Sequence, residues 1–227
     1  MSESLNTFLK QFVNENRLKL IDQKLQYRTR HIAVVLENLH QSHNASAILR
    51  TCECLGIQDI HIIENSNNFQ PNDEIALGAS QWLTLHNYNT QTNNTTWAIQ
   101  QLKKQGYTIA ATSLHTASVP IDEYPIEDKP TAFVFGTEVT GISEDIEKLA
   151  DCFVSIPMVG FTESLNVSVA VGIVINQMLT RLKKNSADWM LSPDELEELE
   201  LQWLRNSIKH VKLLEKHFYE TVKKEKF

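Results

Sequence analysis

Residues Ile156–Ala170, with the sequence IPMVGFTESLNVSVA, are the most informative stretch of this 227-residue chain. Pro157 and Gly160 set a turn, the polar residues Ser164 and Asn166 follow it, and a run of small and apolar residues comes next. A hydrophobic core alone does not require Ser and Asn at the mouth of such a run. Together with two upstream segments, the stretch predicts a turn that binds a small molecule mainly through backbone groups.

The apolar run that follows this turn has an ambiguous period. From Leu165 to Ile175 the apolar residues alternate, which is typical of a strand and suits β-branched side chains. A helix that is buried on most sides is also small and apolar all round. The continuation NQMLTRLKK is helical. We predict a helix, in part from the family resemblance given below, with Ser164 as a candidate N-cap.

Upstream of this stretch, strand patterns alternate with helical patterns, which predicts parallel strands in a layered α/β sheet. Strands are predicted at 31–36, 58–63, 82–85, 107–112, 131–135 and 153–156. Helices are predicted at 3–20, 45–55, 95–104, 144–150 and 193–224. These elements define an N-terminal helical extension (1–30), an α/β domain (31–184) and a C-terminal helical extension (185–227).

Composition favours a cytoplasmic protein. No apolar run reaches the roughly 18 residues of a membrane span, and the first residues lack the basic start and apolar stretch of a secretory signal. The three cysteines form neither a disulfide framework nor a zinc-binding spacing, and they are typical of buried residues in a reducing compartment.

The net charge of −7 is unusual for a nucleic-acid binder, but it is unevenly distributed. Residues 1–30 carry a net charge of +3 and residues 205–227 carry +4, which leaves −14 on residues 31–204. Basic ends on an acidic body are consistent with local phosphate contacts, and also with ordinary solvated helix faces.

The first upstream segment is Glu37–Arg50 (ENLHQSHNASAILR), which starts where a predicted strand ends, as ligand sites in α/β sheets do. Asn44 is expected near the start of the next helix. An arginine such as Arg50 binds phosphate in two-point geometry, and Asn orients a hydroxyl. The alternative is an N-cap Asn and a solvated Arg. His40 and His43 have no partner carboxylate pattern, so we predict no metal site.

The second upstream segment is Phe135–Ser143 (FGTEVTGIS). Gly136 and Gly141 allow a close backbone approach or a positive φ. The segment is neither G-x-G-x-x-G nor a P-loop, so it does not indicate a phosphate cradle. Glu138 is a candidate ligand for a cation, a ribose hydroxyl or an ammonium group.

Taken together, the three segments closely resemble the motifs of the TrmH branch of the SPOUT superfamily of RNA 2′-O-ribose methyltransferases. The shared patterns are N-x-x-x-x-x-R, F-G-T-E-x-x-G and I-P-M-x-G-x-x-x-S-L-N-V-S-V-A, in the same order, and the match covers residues 31–184. The resemblance implies a parallel-sheet SPOUT fold with a C-terminal deep trefoil knot, S-adenosylmethionine as cofactor, a homodimer with its site near the interface, and a methylated ribose in RNA.

The resemblance also implies residue roles. The positions that match catalytic residues of the family are Arg50, Asn44, Glu138, Ser164 and Asn166. The positions expected to contact the cofactor are Leu114, Gly136, Ile156, Met158 and Leu165. Arg50 is the central catalytic residue, either as the base or as the group that fixes the substrate phosphate. Since a guanidinium rarely gives up its proton, positioning the phosphate is at least as well supported chemically as the role of a base.

The layout of short basic helical ends around a bare catalytic domain is most similar to family members that methylate the D-loop guanosine at position 18 of tRNA. We therefore predict tRNA as the partner, with Arg28 and Arg30 contacting its backbone.

Three alternatives remain open on the sequence. The target could be another tRNA or rRNA nucleotide, or the chain could be a catalytically silent RNA-binding member of the fold. A nucleotide-binding oxidoreductase is the third, but it needs a Gly-rich turn after the first strand, which ENLHQSHN lacks.

Overall fold

The computed structural model describes residues 4–66, 69–113, 117–125, 129–137, 140–185 and 189–224. The chain divides into two compact units, an α/β unit of Thr29–Trp189 and a helical unit that combines Met1–Arg28 with Met190–Phe227. Among the described helices, none combines the length and apolar character that a membrane crossing requires.

The described chain contains nine α-helices and seven strands. The helices are α1 Leu5–Lys10, α2 Glu15–Leu25, α3 Ser42–Leu55, α4 Asp73–Ala76, α5 Asn94–Lys104, α6 Glu144–Leu149, α7 Val167–Asn185, α8 Pro193–Ser207 and α9 Val211–Lys224. The strands are β1 Ile32–Glu37, β2 Asp59–Ile63, β3 Thr84–Tyr88, β4 Thr108–Thr112, β5 Val119–Pro120, β6 Thr131–Phe135 and β7 Cys152–Ser155.

All seven strands form one parallel sheet, in the order β3-β2-β1-β6-β4-β7-β5. This confirms the predicted α/β class. The third strand begins at Thr84 rather than at the predicted Trp82, because Ala79–Trp82 form a short 3-10 helix before it.

The central strand β1 shows why the sheet is covered on both faces. All six of its residues are buried. Val34 and Leu36 belong to a core cluster shared with α3 and α7, whereas Ala33 and Val35 belong to a second cluster shared with α5 and α6. Side chains alternate along a strand, so a strand that is apolar on both faces has to lie between two helical layers.

The apolar run after the informative turn is a helix, as predicted. Val167, Val171, Val174 and Ile175 are buried at helical spacing, while Val169 is half exposed. A strand would instead have placed all the alternating valines on one face.

The predicted cap of this helix is wrong. The helix begins at Val167, and Asn166 rather than Ser164 accepts a hydrogen bond from the first turn, with its Oδ1 atom 2.9 Å from the Ser168 backbone nitrogen. A cap must directly precede the first helical residue, and Ser164 lies too far upstream.

Each terminal extension was predicted to contain one long helix, and each contains two shorter helices instead. The predicted helix 3–20 ends at Lys10, and Asn14 caps a second helix by accepting from the Arg17 backbone nitrogen at 2.9 Å. The predicted helix 193–224 breaks after Ser207, where His210 adopts a left-handed conformation with a φ of 59°. Asn favours caps and His tolerates positive φ, so each break has a local cause.

The helical unit is stabilised by an apolar core and by polar contacts between α1 and α8. Its buried apolar residues among those described are Leu9, Ile21, Leu25, Leu191, Leu199, Trp203, Leu204 and Phe218. Glu200 accepts from Asn6 Nδ2 at 2.9 Å and from Lys10 Nζ at 2.7 Å. Ser192 begins α8 with a capping box to Glu195, which confirms the predicted start of this helix.

Candidate active site

Three loops that leave the carboxyl edge of the sheet line an open cavity of about 540 Å³. They follow β4, β6 and β7, and the N-terminal half of α7 adds Val167, Ala170 and Val174 to the lining. This volume lies in the range of small-molecule sites, and the position is the one where parallel α/β sheets bind ligands.

The loop after β6 contains a tight turn. At two of its positions, Gly136 and Gly141, only glycine fits. A Cβ atom on Gly136 would lie 2.0 Å from the carbonyl oxygen of Gly141. Gly141 itself has a φ of 71°. Two backbone hydrogen bonds between Thr137 and Gly141, of 2.9 and 3.0 Å, close the turn. The predicted close approach and positive φ are both confirmed.

The first and third sequence motifs meet at a side-chain hydrogen bond. Asn166 Nδ2 donates to Asn44 Oδ1 at 3.1 Å. Asn44 is 6% exposed and lies inside the first turn of α3, whose N-cap residue is Gln41. The alternative role of Asn44 as an N-cap is therefore wrong, and its amide bonds to another motif instead.

Arg50 lies on the exposed side of α3. Among the described residues, it does not line the cavity and has no ion-pair partner. Its guanidinium is thus available to an external group such as a phosphate.

The structure brings most of the remaining predicted site residues to the cavity. Those that line it are Gly136, Ile156, Met158, Ser164 and Leu165. Leu114 and Glu138 lie outside the described residues. The catalytic and cofactor-binding roles of all these residues stay predictions.

The two arginines predicted to contact RNA lie elsewhere. Arg28, in the helical unit, is 3% exposed, and its guanidinium carbon lies 5.4 Å from the centre of the Trp203 ring. Arg30, in the α/β unit, forms a 3.1 Å ion pair between its Nε and Asp59 Oδ2. Both arginines have intramolecular partners, and their contact with RNA stays a prediction.

Sequence reasoning missed three acidic residues at this edge of the sheet. Glu147 and Glu163 line the cavity, where carboxylates favour a positively charged ligand. Glu37, the last residue of β1, is 2% exposed and accepts hydrogen bonds from Ser143 and Thr95. A signal existed for Glu37, because a carboxyl side chain at the end of an otherwise apolar strand needs hydrogen-bond partners once it is buried.

A polar cluster on β2 and β3 lies apart from the cavity-lining residues. His61 is buried and stacks on His86 with ring centres 4.4 Å apart. The pKa of His61 is lowered to about 3, mainly by burial and also by the neighbouring His86, while Asp59 acts in the opposite direction. Burial also raises the pKa of Tyr88, whose hydroxyl lies 3.0 Å from His61 Nδ1. His61 is therefore neutral in the folded protein at neutral pH.

The fold and the cavity define an α/β protein with a cavity of small-molecule size at the carboxyl edge of a parallel sheet. Residues 31–176 match the model of the SpoU rRNA Methylase family. The chain therefore belongs to the SpoU methylase family.

Curated and solved relatives agree with this family. A protein of Borreliella burgdorferi named tRNA (guanosine(18)-2′-O)-methyltransferase is 42% identical over 207 residues, which cover 91% of this chain and 93% of the relative. The crystal structure of the A. aeolicus TrmH/SpoU tRNA modifying enzyme has a TM-score of 0.75 and 30% identity, with 86% of this chain and 98% of that chain covered.

A second solved structure is similar in fold alone. The SpoU methyltransferase AviRb from Streptomyces viridochromogenes, solved in complex with the cofactor AdoMet, has a TM-score of 0.59 at 18% identity. The match covers 72% of this chain and 65% of that chain.

Proposed function

We propose that this protein transfers a methyl group from S-adenosylmethionine to the ribose 2′-hydroxyl of guanosine 18 in the D-loop of tRNA. The observation that carries the proposal is the identity of 42% over 91% of the chain to a relative named for this reaction. The motif pair Asn44 and Asn166, joined by a hydrogen bond, supports it in this chain itself.

The cavity fits S-adenosylmethionine in size and chemistry. Its volume of about 540 Å³ suits a molecule of this class. Apolar side chains of Ile156 and Met158 line it together with Gly136 and Gly141 of the loop after β6. The carboxylates of Glu147 and Glu163 complement a ligand that carries positive sulfonium and ammonium groups. When bound, the cofactor supplies an electrophilic methyl group.

The chain's own residues have to orient a ribose hydroxyl towards the methyl group. That hydroxyl has to lose its proton as the new bond forms. Asn44, Ser164 and Asn166 offer amide and hydroxyl groups that orient a ribose. Arg50 presents an exposed guanidinium fork that fixes the phosphate next to that ribose. Glu138 and Leu114 keep the roles that the family motifs imply for them, as an acidic site residue and a cofactor contact.

Two finer features of the family are part of this proposal. The first is a homodimer. Val159 and Phe161, in the loop after β7, have relative exposures of 104% and 109%, and the half-exposed Val169 follows at the start of α7. Exposed apolar patches favour association, and we propose a second copy of this chain as the partner. Light scattering should give twice the monomer mass, and Phe161→Ser should weaken the dimer.

The second feature is the trefoil knot, with α7 passing through the segment between β4 and β6. Arg181 of α7 supports it by donating to the carbonyl oxygens of Ile121 and Tyr124, at 2.9 and 2.6 Å, within that segment. A crystal structure with a continuous backbone trace through both segments tests the threading.

The RNA surface is proposed to lie on the basic ends of the chain. Exposed Arg17, Lys19 and Lys24 on α2 are suited to contact phosphates. The proposed substrate implies that the protein acts in the cytoplasm.

The direct experiment is the transfer of labelled methyl from S-adenosylmethionine to unmodified tRNA, followed by nucleoside analysis. The expected product is 2′-O-methylguanosine. Label in another nucleoside of tRNA, or in ribosomal RNA alone, would replace the proposed target, and no label in any RNA would reject the activity.

A further inference from the structure

Glu37 is a buried carboxylate at the carboxyl edge of the sheet, and it has three hydrogen-bond donors. Its Oε2 atom accepts from the Ser143 backbone nitrogen at 2.9 Å. Its Oε1 atom accepts from Ser143 Oγ at 2.7 Å and from Thr95 Oγ1 at 2.6 Å. A buried carboxylate is stable only with such partners, so the side chain and its donors hold one another in place.

These contacts tie down the far end of the glycine loop, which runs from Gly136 to Ser143. Its near end is fixed by the sheet, because Phe135 pairs with Leu36 in the register of β6 and β1. Its far end is Ser143, which bonds to Glu37 and also caps α6 by accepting from the Ile146 backbone nitrogen at 3.3 Å. Both ends of the loop are therefore anchored to consecutive residues of β1.

The described residues of this loop leave little room for movement where its two glycines meet. Gly136 and Gly141 are in backbone contact, and residues of this loop form one wall of the cavity. A displacement of Ser143 would thus pass through Ile142 and Gly141 to the cavity wall, since tightly packed backbone transmits small shifts.

We propose that Glu37 is a positioning residue that holds the glycine loop in the shape that the cofactor needs. The inference rests on the proposed function, since it assumes that the cavity binds S-adenosylmethionine. Glu37 takes no part in proton transfer here, and it acts on the cofactor only through Ser143.

A neighbouring carboxylate offers a matched control. Glu64 follows β2 as Glu37 ends β1, and its side chain also bonds to two loops, through the Phe69 backbone nitrogen and through Asn89 Nδ2 at 2.9 Å. Glu64, Phe69 and Asn89 are not among the described residues that line the cavity. Glu64→Gln therefore removes a similar carboxylate anchor without touching the cavity wall.

The test compares Glu37→Gln with Glu64→Gln in the full-length protein, by calorimetric binding of S-adenosylhomocysteine and by thermal unfolding. Glu37→Gln should weaken binding about tenfold, and Glu64→Gln should leave it within about twofold, even where both lower the melting temperature. In turnover assays Glu37→Gln should raise KM for S-adenosylmethionine but not KM for tRNA.

Two results would overturn the inference. One is a folded Glu37→Gln variant that binds S-adenosylhomocysteine within about twofold of the wild type, and the other is equal weakening in both variants. If Glu37→Gln does not fold, Ser143→Ala and Thr95→Val replace it. Ser143→Ala, which removes the hydroxyl bond between the loop and Glu37 and leaves the backbone bond, should weaken binding more than Thr95→Val does, and the reverse order would also overturn the inference. A wild-type protein that does not bind S-adenosylhomocysteine would instead reject the proposed function.

Discussion

Asn166 Nδ2 donates to Asn44 Oδ1 at 3.1 Å, across 122 positions of the sequence. The same Asn166 side chain caps α7 through its Oδ1 atom, 2.9 Å from the Ser168 nitrogen. One residue therefore sets the start of the helix beside the cavity and orients the amide of the first motif. This hydrogen bond brings the two motifs, which are far apart in the chain, into direct contact.

The Asn44–Asn166 link can be measured with a double-mutant cycle. Asn166→Ala should lower the free energy of unfolding by about 1–2 kcal/mol, through the lost cap and the lost hydrogen bond. Asn44→Ala and Asn166→Ala should couple by at least about 0.5 kcal/mol in denaturant unfolding. Asn93→Ala, which removes the cap of α5, is the control and should add to Asn44→Ala without coupling. Additive effects of Asn44→Ala and Asn166→Ala would contradict the link.

Gly136 is the position where a single methyl group should damage the cavity most. Gly136→Ala forces a Cβ atom to within 2.0 Å of the Gly141 carbonyl, so the loop has to move. We expect a loss of at least about tenfold in affinity for S-adenosylhomocysteine by calorimetry. Gly106→Ala serves as the control, because its φ of 90° strains the backbone but nothing lies within 4 Å of the new atom. Similar binding by both variants would show that the loop tolerates displacement.

A substitution at Arg50 can separate the contribution of its positive charge from that of its two-point geometry. Arg50→Lys keeps the positive charge but loses the two-point fork, so turnover should fall at least about tenfold in methyl-transfer assays. The melting temperature should not change, because the side chain is exposed. Near-normal turnover would exclude both candidate roles of Arg50, as the base and as the phosphate ligand.

His61 should make the protein less stable in acid. The unfolded chain takes up a proton at this residue near pH 6.5, whereas in the folded protein its pKa is lowered to about 3. The unfolded state therefore binds more protons between these values, and the free energy of unfolding should fall as the pH decreases from about 6.5 towards 3, by at most about 1.4 kcal/mol per pH unit from this residue. His61→Gln should flatten that slope in urea titrations at several pH values, and an unchanged slope would contradict the assignment.

The basic end of the chain can be tested without disturbing its packing. Lys19→Glu with Lys24→Glu changes two exposed residues of α2, so tRNA binding should weaken and its salt dependence should become shallower. Arg28→Lys should mainly lower the melting temperature, because Arg28 is buried against Trp203. If the double lysine variant binds tRNA with unchanged salt dependence, the RNA surface lies elsewhere.

Where the sequence pattern was strong, it predicted the fold well. The strand β1, which is apolar except for Glu37, and the parallel sheet follow from apolar runs rich in β-branched residues that alternate with helical segments. The helix α7 was recovered only with help from the family resemblance, since its valines alternate like those of a strand. Breaks at Asn14 and His210 were missed, because helical periodicity continues across them and only the caps reveal them.

The candidate site was predicted in part. Gly136, Ser164 and Leu165, which the family resemblance assigns to the site, all line the cavity. The contribution of Glu37 could not be found in the same way, since its partners are 58 and 106 residues away. Such long-range hydrogen bonds depend on strand order, which local patterns do not determine.

The most direct test of the account uses two tRNA transcripts that differ at a single atom. One carries guanosine at position 18 and the other carries 2′-deoxyguanosine there, and each is incubated with labelled S-adenosylmethionine and the wild-type protein. The account predicts rapid incorporation of label into the first transcript and none into the second. Equal labelling of the two transcripts, or labelling of neither, would contradict methyl transfer to this ribose.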